Sequence, residues 1–322
     1  MPQLSVSAPT PELTPQVAAL VARYAPHDAP VVITGPIGVG KTHLARVIHD
    51  RSGRVGEFVP VPLTSLQPGF ENVTLAGHDK GAYTGSHRQR NGLLTQANRG
   101  TLFLDEIGDG SIDIQRVLLE LLTDSGLRRL GEERQVRYDL RFILATHVDL
   151  DLATAEGRFR EDLLSRLGNC WIHLSPLRER PEEIPALILH YLSSLATERG
   201  VPAPTLTSAL YTTLQAAPWV YNVRSLVNEC AALMTAWEPA RPLGLQDLST
   251  RFWNEVSRYV VDLPDDGARI EYTVGLTGGD RAHAAAVLKM SKRTFFRRAS
   301  EGNLSRRTNR PRRSELSEPR VE

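Results

Sequence analysis

Short apolar runs dominate the first half of this chain, and amphipathic stretches take over in the second. The runs at 31–34, 58–61, 101–104, 141–145 and 171–174 have the length of strands buried on both faces. Between them, apolar residues recur three and four apart. The clearest case is 114–122, where Val117, Leu118, Leu121 and Leu122 form one stripe. Further helices are predicted over 16–24 and from about 41 onward. Strands alternating with helices predict an α/β fold with a mostly parallel sheet, whose ligand lies outside the carboxyl ends of the strands.

The strand signal stops near 183. Helices are predicted at 183–198, 205–216, 222–237 and 249–259, a small helical domain after the sheet. Pro264 and Gly267 mark 261–269 as a linker. Three short helices follow, near 270–277, 281–288 and 292–299, and the last residues are too polar to build a core. The expected organisation is a leader over 1–25, with four prolines in its first fifteen residues, and an α/β domain over 26–176. A helical domain over 177–260, the linker, a helical module over 270–300 and a disordered basic tail over 301–322 complete it.

Composition narrows the class without deciding it. Lys and Arg number 38 against 37 Asp and Glu, so only the distribution of charge can point to a partner. Two cysteines, Cys170 and Cys230, exclude a disulfide-rich scaffold or a four-thiolate metal site within the chain. No apolar run is long enough to span a membrane, and the N-terminus has no signal-peptide pattern, so a cytoplasmic protein without membrane association is expected.

The chemistry begins at Gly35-Pro36-Ile37-Gly38-Val39-Gly40-Lys41-Thr42, which fits the phosphate-loop pattern between a strand and a helix. Gly35, Gly38 and Gly40 let backbone N–H groups face the phosphates of ATP, and the helix N-terminus supplies more donors. Lys41 reaches the outer phosphates, and the Thr42 hydroxyl is a ligand for Mg²⁺. The run Thr101-Leu102-Phe103-Leu104-Asp105-Glu106 ends an apolar strand in two carboxylates. Asp105 is the second candidate Mg²⁺ ligand, and Glu106 can polarise a water for attack on the γ-phosphate. The two motifs together argue for ATP hydrolysis.

With these residues in view, the chain resembles the AAA+ activators that remodel bacterial RNA polymerase carrying sigma-54, over roughly residues 10–300. The most specific mark is Gly81-Ala82-Tyr83-Thr84-Gly85-Ser86, against a family pattern of Gly-Ala-Phe-Thr-Gly-Ala. The resemblance makes this the loop that contacts sigma-54. The stretch Leu127-Arg128-Arg129-Leu130-Gly131 corresponds to a second partner-facing loop. In Phe159-Arg160-Glu161-Asp162-Leu163-Leu164-Ser165-Arg166, the resemblance makes Arg160 and Arg166 candidate arginines acting on a neighbouring subunit's nucleotide, which implies a homo-oligomeric ring, a hexamer. In Trp219-Val220-Tyr221-Asn222-Val223-Arg224, Arg224 becomes the lid residue that senses the nucleotide, Trp219 a core residue and Asn222 a helix cap. His147 stands where the family has a nucleotide-sensing Asn. Pro62 stands where the family has the Asn that restrains the catalytic glutamate, and proline lacks a donor for that task.

The C-terminal module resembles the three-helix Fis-like helix-turn-helix that ends these activators, with Ser291 a cap and Phe295 and Phe296 divided between core and surface. From 292 to 313 there are nine Lys or Arg and one Glu, a local charge of +8. That is a footprint for the phosphates of double-stranded DNA. Lys292, Arg293, Thr294, Arg297 and Arg298 are the candidate contacts. A leader this short is expected to hold no receiver or sensor domain, so control is expected from a regulatory protein in trans, from expression level, or from nucleotide and assembly. The reading favoured is an ATP-driven activator of sigma-54 transcription. The alternatives are a DNA-binding AAA+ repressor or scaffold that has lost sigma-54 contact, and an AAA+ remodeller of another kind such as a helicase loader.

Overall fold

The computed structural model describes residues 13–308 other than 68, 79–89, 125, 129–134 and 240, with 301–308 described as helical backbone alone. The chain divides at Pro176/Leu177 into two compact units.

The first unit opens with α1 (Pro15–Tyr24), capped by the hydroxyl of Thr14. Strand β1 (Val31–Thr34) leads into α2 (Lys41–Asp50). Then come β2 (Phe58–Pro62), α3 (Glu71–Ala76), and a two-residue ribbon of β3 (Gly77–His78) and β4 (Arg90–Asn91). Helix α4 (Leu93–Ala97) precedes β5 (Thr101–Asp105), a short 3-10 turn over Ile107–Asp109, and α5 (Ile112–Asp124). A second ribbon joins β6 (Gly126–Arg128) to β7 (Gln135–Arg137). Strand β8 (Arg141–Thr146), α6 (Leu150–Ala155), α7 (Glu161–Arg166) and β9 (Cys170–His173) complete the unit.

The five long strands form one sheet in the order β2-β5-β8-β1-β9, and every pair is parallel. Alternate residues on each strand feed opposite faces, as the strand period requires. Val31, Ile33, Phe103, Ile143 and Ala145 pack with Leu44 and Ile48 of α2 and Val21 of α1. Val32, Leu102, Leu104, Phe142 and Leu144 pack with Leu118 and Leu121 of α5 and Leu163 of α7. Each of these Val, Ile, Leu and Phe side chains, fully buried, contributes about 1.5–3 kcal/mol. Helix α1, expected as part of a loose leader, is built into this core: Val21 and Ala25 are buried. Short α3 and α4 have no periodic signal long enough to be predicted.

The second unit holds α8 (Ile184–Glu198), α9 (Ser208–Ala216), α10 (Asn222–Ala236) and α11 (Thr250–Val261), around a core that includes Leu187, Leu192, Leu226, Leu233 and Phe252. It continues in α12 (Asp266–Leu276), α13 (Arg281–Val287) and α14 (Lys292–Thr308). The expected linker over 261–269 is corrected: α12 begins at Asp266 because the Asp265 carboxylate caps it, accepting from Ala268 N at 2.7 Å. The expected end of the last helix at 299 is corrected too, since α14 runs to Thr308 and the next proline is Pro311.

The last three helices pack on the rest of the unit. Leu276 and Val287 belong to its main core, Thr213 Oγ1 donates to Leu276 O at 2.8 Å, and Tyr272 donates to Ala216 O at 2.9 Å. Ile270, Ala284, Ala285 and Phe295 form a small core of their own, while Phe296 is exposed, the division expected of the two aromatics. No described helix is long and apolar enough to cross a membrane.

Candidate nucleotide-binding active site

Strand β1 ends at Thr34, and the loop that follows turns through three glycines in the left-handed half of backbone space: Gly35 at φ 146°, Gly38 at 76° and Gly40 at 112°. A side chain at Gly35 would meet Leu174 O at 2.4 Å, so both conformation and space demand glycine there. Lys41 is the first residue of α2 and is buried. Its ammonium donates to Gly35 O at 3.0 Å and lies 3.2 Å from Glu106 Oε1.

Glu106 follows β5 with φ 59°, a strained conformation for a residue with a side chain. Its other oxygen, Oε2, accepts from the backbone N–H of His147 at 3.1 Å and lies 2.7 Å from His147 Nδ1. A carboxylate can only accept, so the ring proton sits on Nδ1. Burial pushes Glu106 up, but the bond from His147 and the charge of Lys41 outweigh it and hold the carboxyl below the usual range.

Asp105 moves the other way. Burial and the neighbouring Glu106 charge raise its pKa, against the opposing Lys41 charge and the Thr42 hydroxyl. Asp105 Oδ1 is buried without a hydrogen-bond partner. An orphaned carboxylate oxygen near a threonine hydroxyl is a hard-oxygen donor set that fits Mg²⁺. Strand β8 separates β5 from β1, so His147, just past its end, enters the site between the two motifs.

The remaining sites are placed as follows. Arg160 stands at the residue before α7, its guanidinium held by Asp162 at 2.6 and 2.9 Å, and Arg166 is exposed at the helix end. Neither forms a hydrogen bond or ion pair with Lys41, Asp105 or Glu106. Arg224 is exposed in the first turn of α10, in the second unit. Trp219 is buried, as expected, and its indole donates to Leu214 O. Asn222 does not cap α10: with φ 54° it turns its Oδ1 to accept from Leu177 N at 2.8 Å.

Lys292, Arg293 and Thr294 open α14, and Ser291 caps it, accepting from Thr294 N at 3.2 Å. Arg298 is paired with Asp266 at 2.6 Å. Residues 81–86 lie outside the described residues. The ribbon that flanks them is described: Gly77 pairs with Asn91, and a side chain at Gly92 would meet Leu75 O at 2.1 Å. Residues 129–131 also lie outside the described residues, between β6 and β7.

Sequence reading missed three participants. Asp109 Oδ2 stands 3.9 Å from His147 Nδ1. Gly108 packs its backbone on the end of β8, where a side chain would meet Val148 Cβ at 2.6 Å. Gln115 is fully buried and donates to Gly110 O and Arg158 O while accepting from Arg160 N, tying the turn after Glu106 to the start of α7. One signal was available for Gln115, an amide on the otherwise apolar buried face of an amphipathic helix.

The model of the sigma-54 interaction domain matches residues 10–173, and that of the AAA+ ATPase lid domain matches 178–260. The DNA-binding transcriptional regulator NtrC of Salmonella typhimurium is 38% identical over 252 residues, covering 76% of this chain and 54% of that protein. The regulatory protein TyrR of Enterobacter agglomerans is 39% identical over 235 residues, covering 72% and 45%. The chain thus spans about half the length of the curated relatives it matches. The crystal structure of NtrX from Brucella abortus in complex with ATP matches with a TM-score of 0.68 at 27% identity, covering 92% of this chain and 70% of that one. A further crystal structure of NtrX from that organism, in complex with ADP, matches with the same TM-score at 28% identity. The matched domains and the phosphate loop set beside Glu106 lead to one conclusion: this chain has the AAA+ P-loop fold and belongs to the family defined by the sigma-54 interaction domain.

Proposed function

We propose that this protein hydrolyses ATP and spends the energy on remodelling RNA polymerase that carries sigma-54, as an activator bound to double-stranded DNA upstream of promoters. The observation that carries the reading is the convergence of Lys41, Asp105 and Glu106 at the carboxyl ends of β1 and β5. Gly35, Gly38, Gly40 and Lys41 seat the phosphates. Thr42 and Asp105 would hold Mg²⁺, which screens the phosphate charge when bound. Glu106 draws a proton from the attacking water and aligns it with the γ-phosphate. His147 reads the state of the site from β8.

Arg160 and Arg166 serve the nucleotide of the next subunit, so the active form is a homo-oligomer, a hexamer by family resemblance, and Arg224 passes the nucleotide state to the lid. Gly81, Ala82, Tyr83, Thr84, Gly85 and Ser86 form the contact to sigma-54, the aromatic Tyr83 supplying its apolar face. Lys292, Arg293, Thr294 and Arg297 read and grip DNA, and Arg298 joins them once released from Asp266. A regulatory protein in trans would set when this happens, in the cytoplasm where polymerase works.

The test is capture of purified sigma-54 in the presence of an ATP transition-state analogue. Stable capture that disappears in Tyr83→Ala, with ATP turnover retained, is the expected result. ATP turnover and DNA binding without capture would replace the activator reading with that of a DNA-binding AAA+ repressor or scaffold.

A further inference from the structure

Within the second unit, a cleft of about 440 Å³ opens between the last turns of α11, the start of α12 and the turn that joins α13 to α14. Small-molecule ligands fill clefts of this size. Its apolar wall includes Val260 from α11 with Leu288 and Met290 from the turn. The charged members are of one sign: Arg258, Arg269 and Lys289 line the cleft, and among the described residues no carboxylate does.

The three cations are not equivalent. The Arg269 guanidinium is engaged within the fold, donating to Val261 O at 2.7 Å and to Leu263 O at 3.2 Å. It also lies 3.4 Å from Asp266, a carboxylate shared with Arg298. The side chains of Arg258 and Lys289 have no hydrogen-bond or ion-pair partner among the described residues. Glu255, one turn before Arg258, is bonded to Ser225 and Arg251 instead. Lys289 also holds its backbone at φ 54°, just past the end of α13. Glycine closes a helix in that conformation at least cost, and a lysine there is strained. Ser257 Oγ donates to Val287 O at 2.6 Å, so α11 fixes the turn that carries Lys289. The fold thus keeps a strained, unpaired cation in the same cleft as a second unpaired cation, beside an apolar wall.

We propose that this cleft binds a small amphipathic anion, an organic carboxylate or phosphate whose charged end meets Arg258 and Lys289 and whose alkyl or aryl body lies on Val260, Leu288 and Met290. Each cation then gains a charge-assisted hydrogen bond. The DNA backbone also offers phosphates, but it has no apolar body for that wall, so the small ligand is the better fit. The site joins α11 to the turn that opens α14, and a bound ligand braces the helix carrying Lys292 and Arg293 against the rest of the unit. It does not depend on the ATPase chemistry.

Methionine methyls provide the readout, because Met290 lines the cleft while Met234 is buried in the main core of the unit. The full chain, isotopically labelled at those methyls for NMR, is titrated with octanoate, with octanol and with inorganic phosphate. Octanoate should move the Met290 signal saturably, with a Kd of about a millimolar or below, and leave Met234 in place. Octanol and phosphate each carry half of the recognised chemistry and should bind at least about tenfold more weakly. Arg258→Gln and Lys289→Gly should each weaken octanoate binding about tenfold. Lys289→Gly should also raise the thermal unfolding midpoint, because it relieves the left-handed residue. A Met290 signal that stays in place with octanoate, or moves equally with octanol, overturns the proposal. So does a Lys289→Gly variant that binds octanoate as wild type does, or one that unfolds at a lower temperature, since the lysine would then be kept for packing. Absence of octanoate binding together with weaker duplex binding by Arg258→Gln would reassign the cleft to the DNA backbone.

Discussion

The guanidinium of Arg141, buried at the start of β8, donates through Nη2 to the carbonyl of Tyr24 at 2.8 Å and through Nη1 to that of Ala25. A cation inside the sheet unit thereby ties the end of α1 to a central strand. Burial depresses its pKa, with the Asp28 charge opposing that shift. Arg141→Met keeps an unbranched apolar stem and loses both donors. Leaving the Ala25 carbonyl short of a partner, and the Tyr24 carbonyl with the His27 N–H alone at 3.2 Å, should cost about 1–3 kcal/mol, read as a lower urea midpoint for the sheet unit.

Gly35→Ala should be more damaging to function than its size suggests. The added methyl meets Leu174 O and forces a side chain into φ 146°. Nucleotide affinity, measured by calorimetry, should fall at least about tenfold through displacement of the loop by a few tenths of an ångström. A variant that binds ATP as wild type does would show that the loop takes another shape with nucleotide.

Glu106→Gln keeps the volume and gives up the base. ATP binding should survive and turnover should drop about a hundredfold or more, as followed by phosphate release. Lys41→Ala should fail at the earlier step and bind nucleotide weakly. Turnover by Glu106→Gln within a few-fold of wild type would remove the base from this residue.

Glu229 offers a pH test in the second unit. Burial raises its pKa, and the Ser249 hydrogen bonds only partly offset this. A carboxyl with a folded-state value above its unfolded one is best tolerated in acid, and its contribution worsens as pH rises through the folded value. Glu229→Gln cannot ionise, so its urea midpoint relative to wild type should climb from pH 4.5 to pH 8. A gap that stays constant across that range would mean the carboxyl is not strained by burial.

On DNA, the arginines of α14 should separate into two classes. Arg293→Ala should weaken binding and flatten the salt dependence by about one unit of slope if it meets a phosphate, or relax sequence preference if it meets a base. Arg298→Ala should change both less, because its guanidinium is already shared with Asp266 at 2.6 Å. Equal losses from the two variants would show that the pair opens fully on DNA.

What the sequence determined by itself is the local grammar. The phosphate loop, the apolar strands and the acidic pair are contiguous segments whose chemistry depends on neighbours within a few residues, and so the α/β fold, Lys41, Asp105 and Glu106 were legible from the chain. The cap at Ser291 and the split of Phe295 and Phe296 were legible for the same reason. Asn222 misled because its positive φ turns the amide towards Leu177, 45 residues away in sequence.

Only the tertiary structure could decide what enters the site from elsewhere. The strand order puts β8 between β5 and β1, and that crossover delivers the donors of His147 to Glu106 across 41 residues of chain. Asp109, Gly108 and Gln115 act through the same close packing. No periodicity encodes such contacts, because they arise from which strands pair in the sheet and how tightly a turn can lie against the end of one.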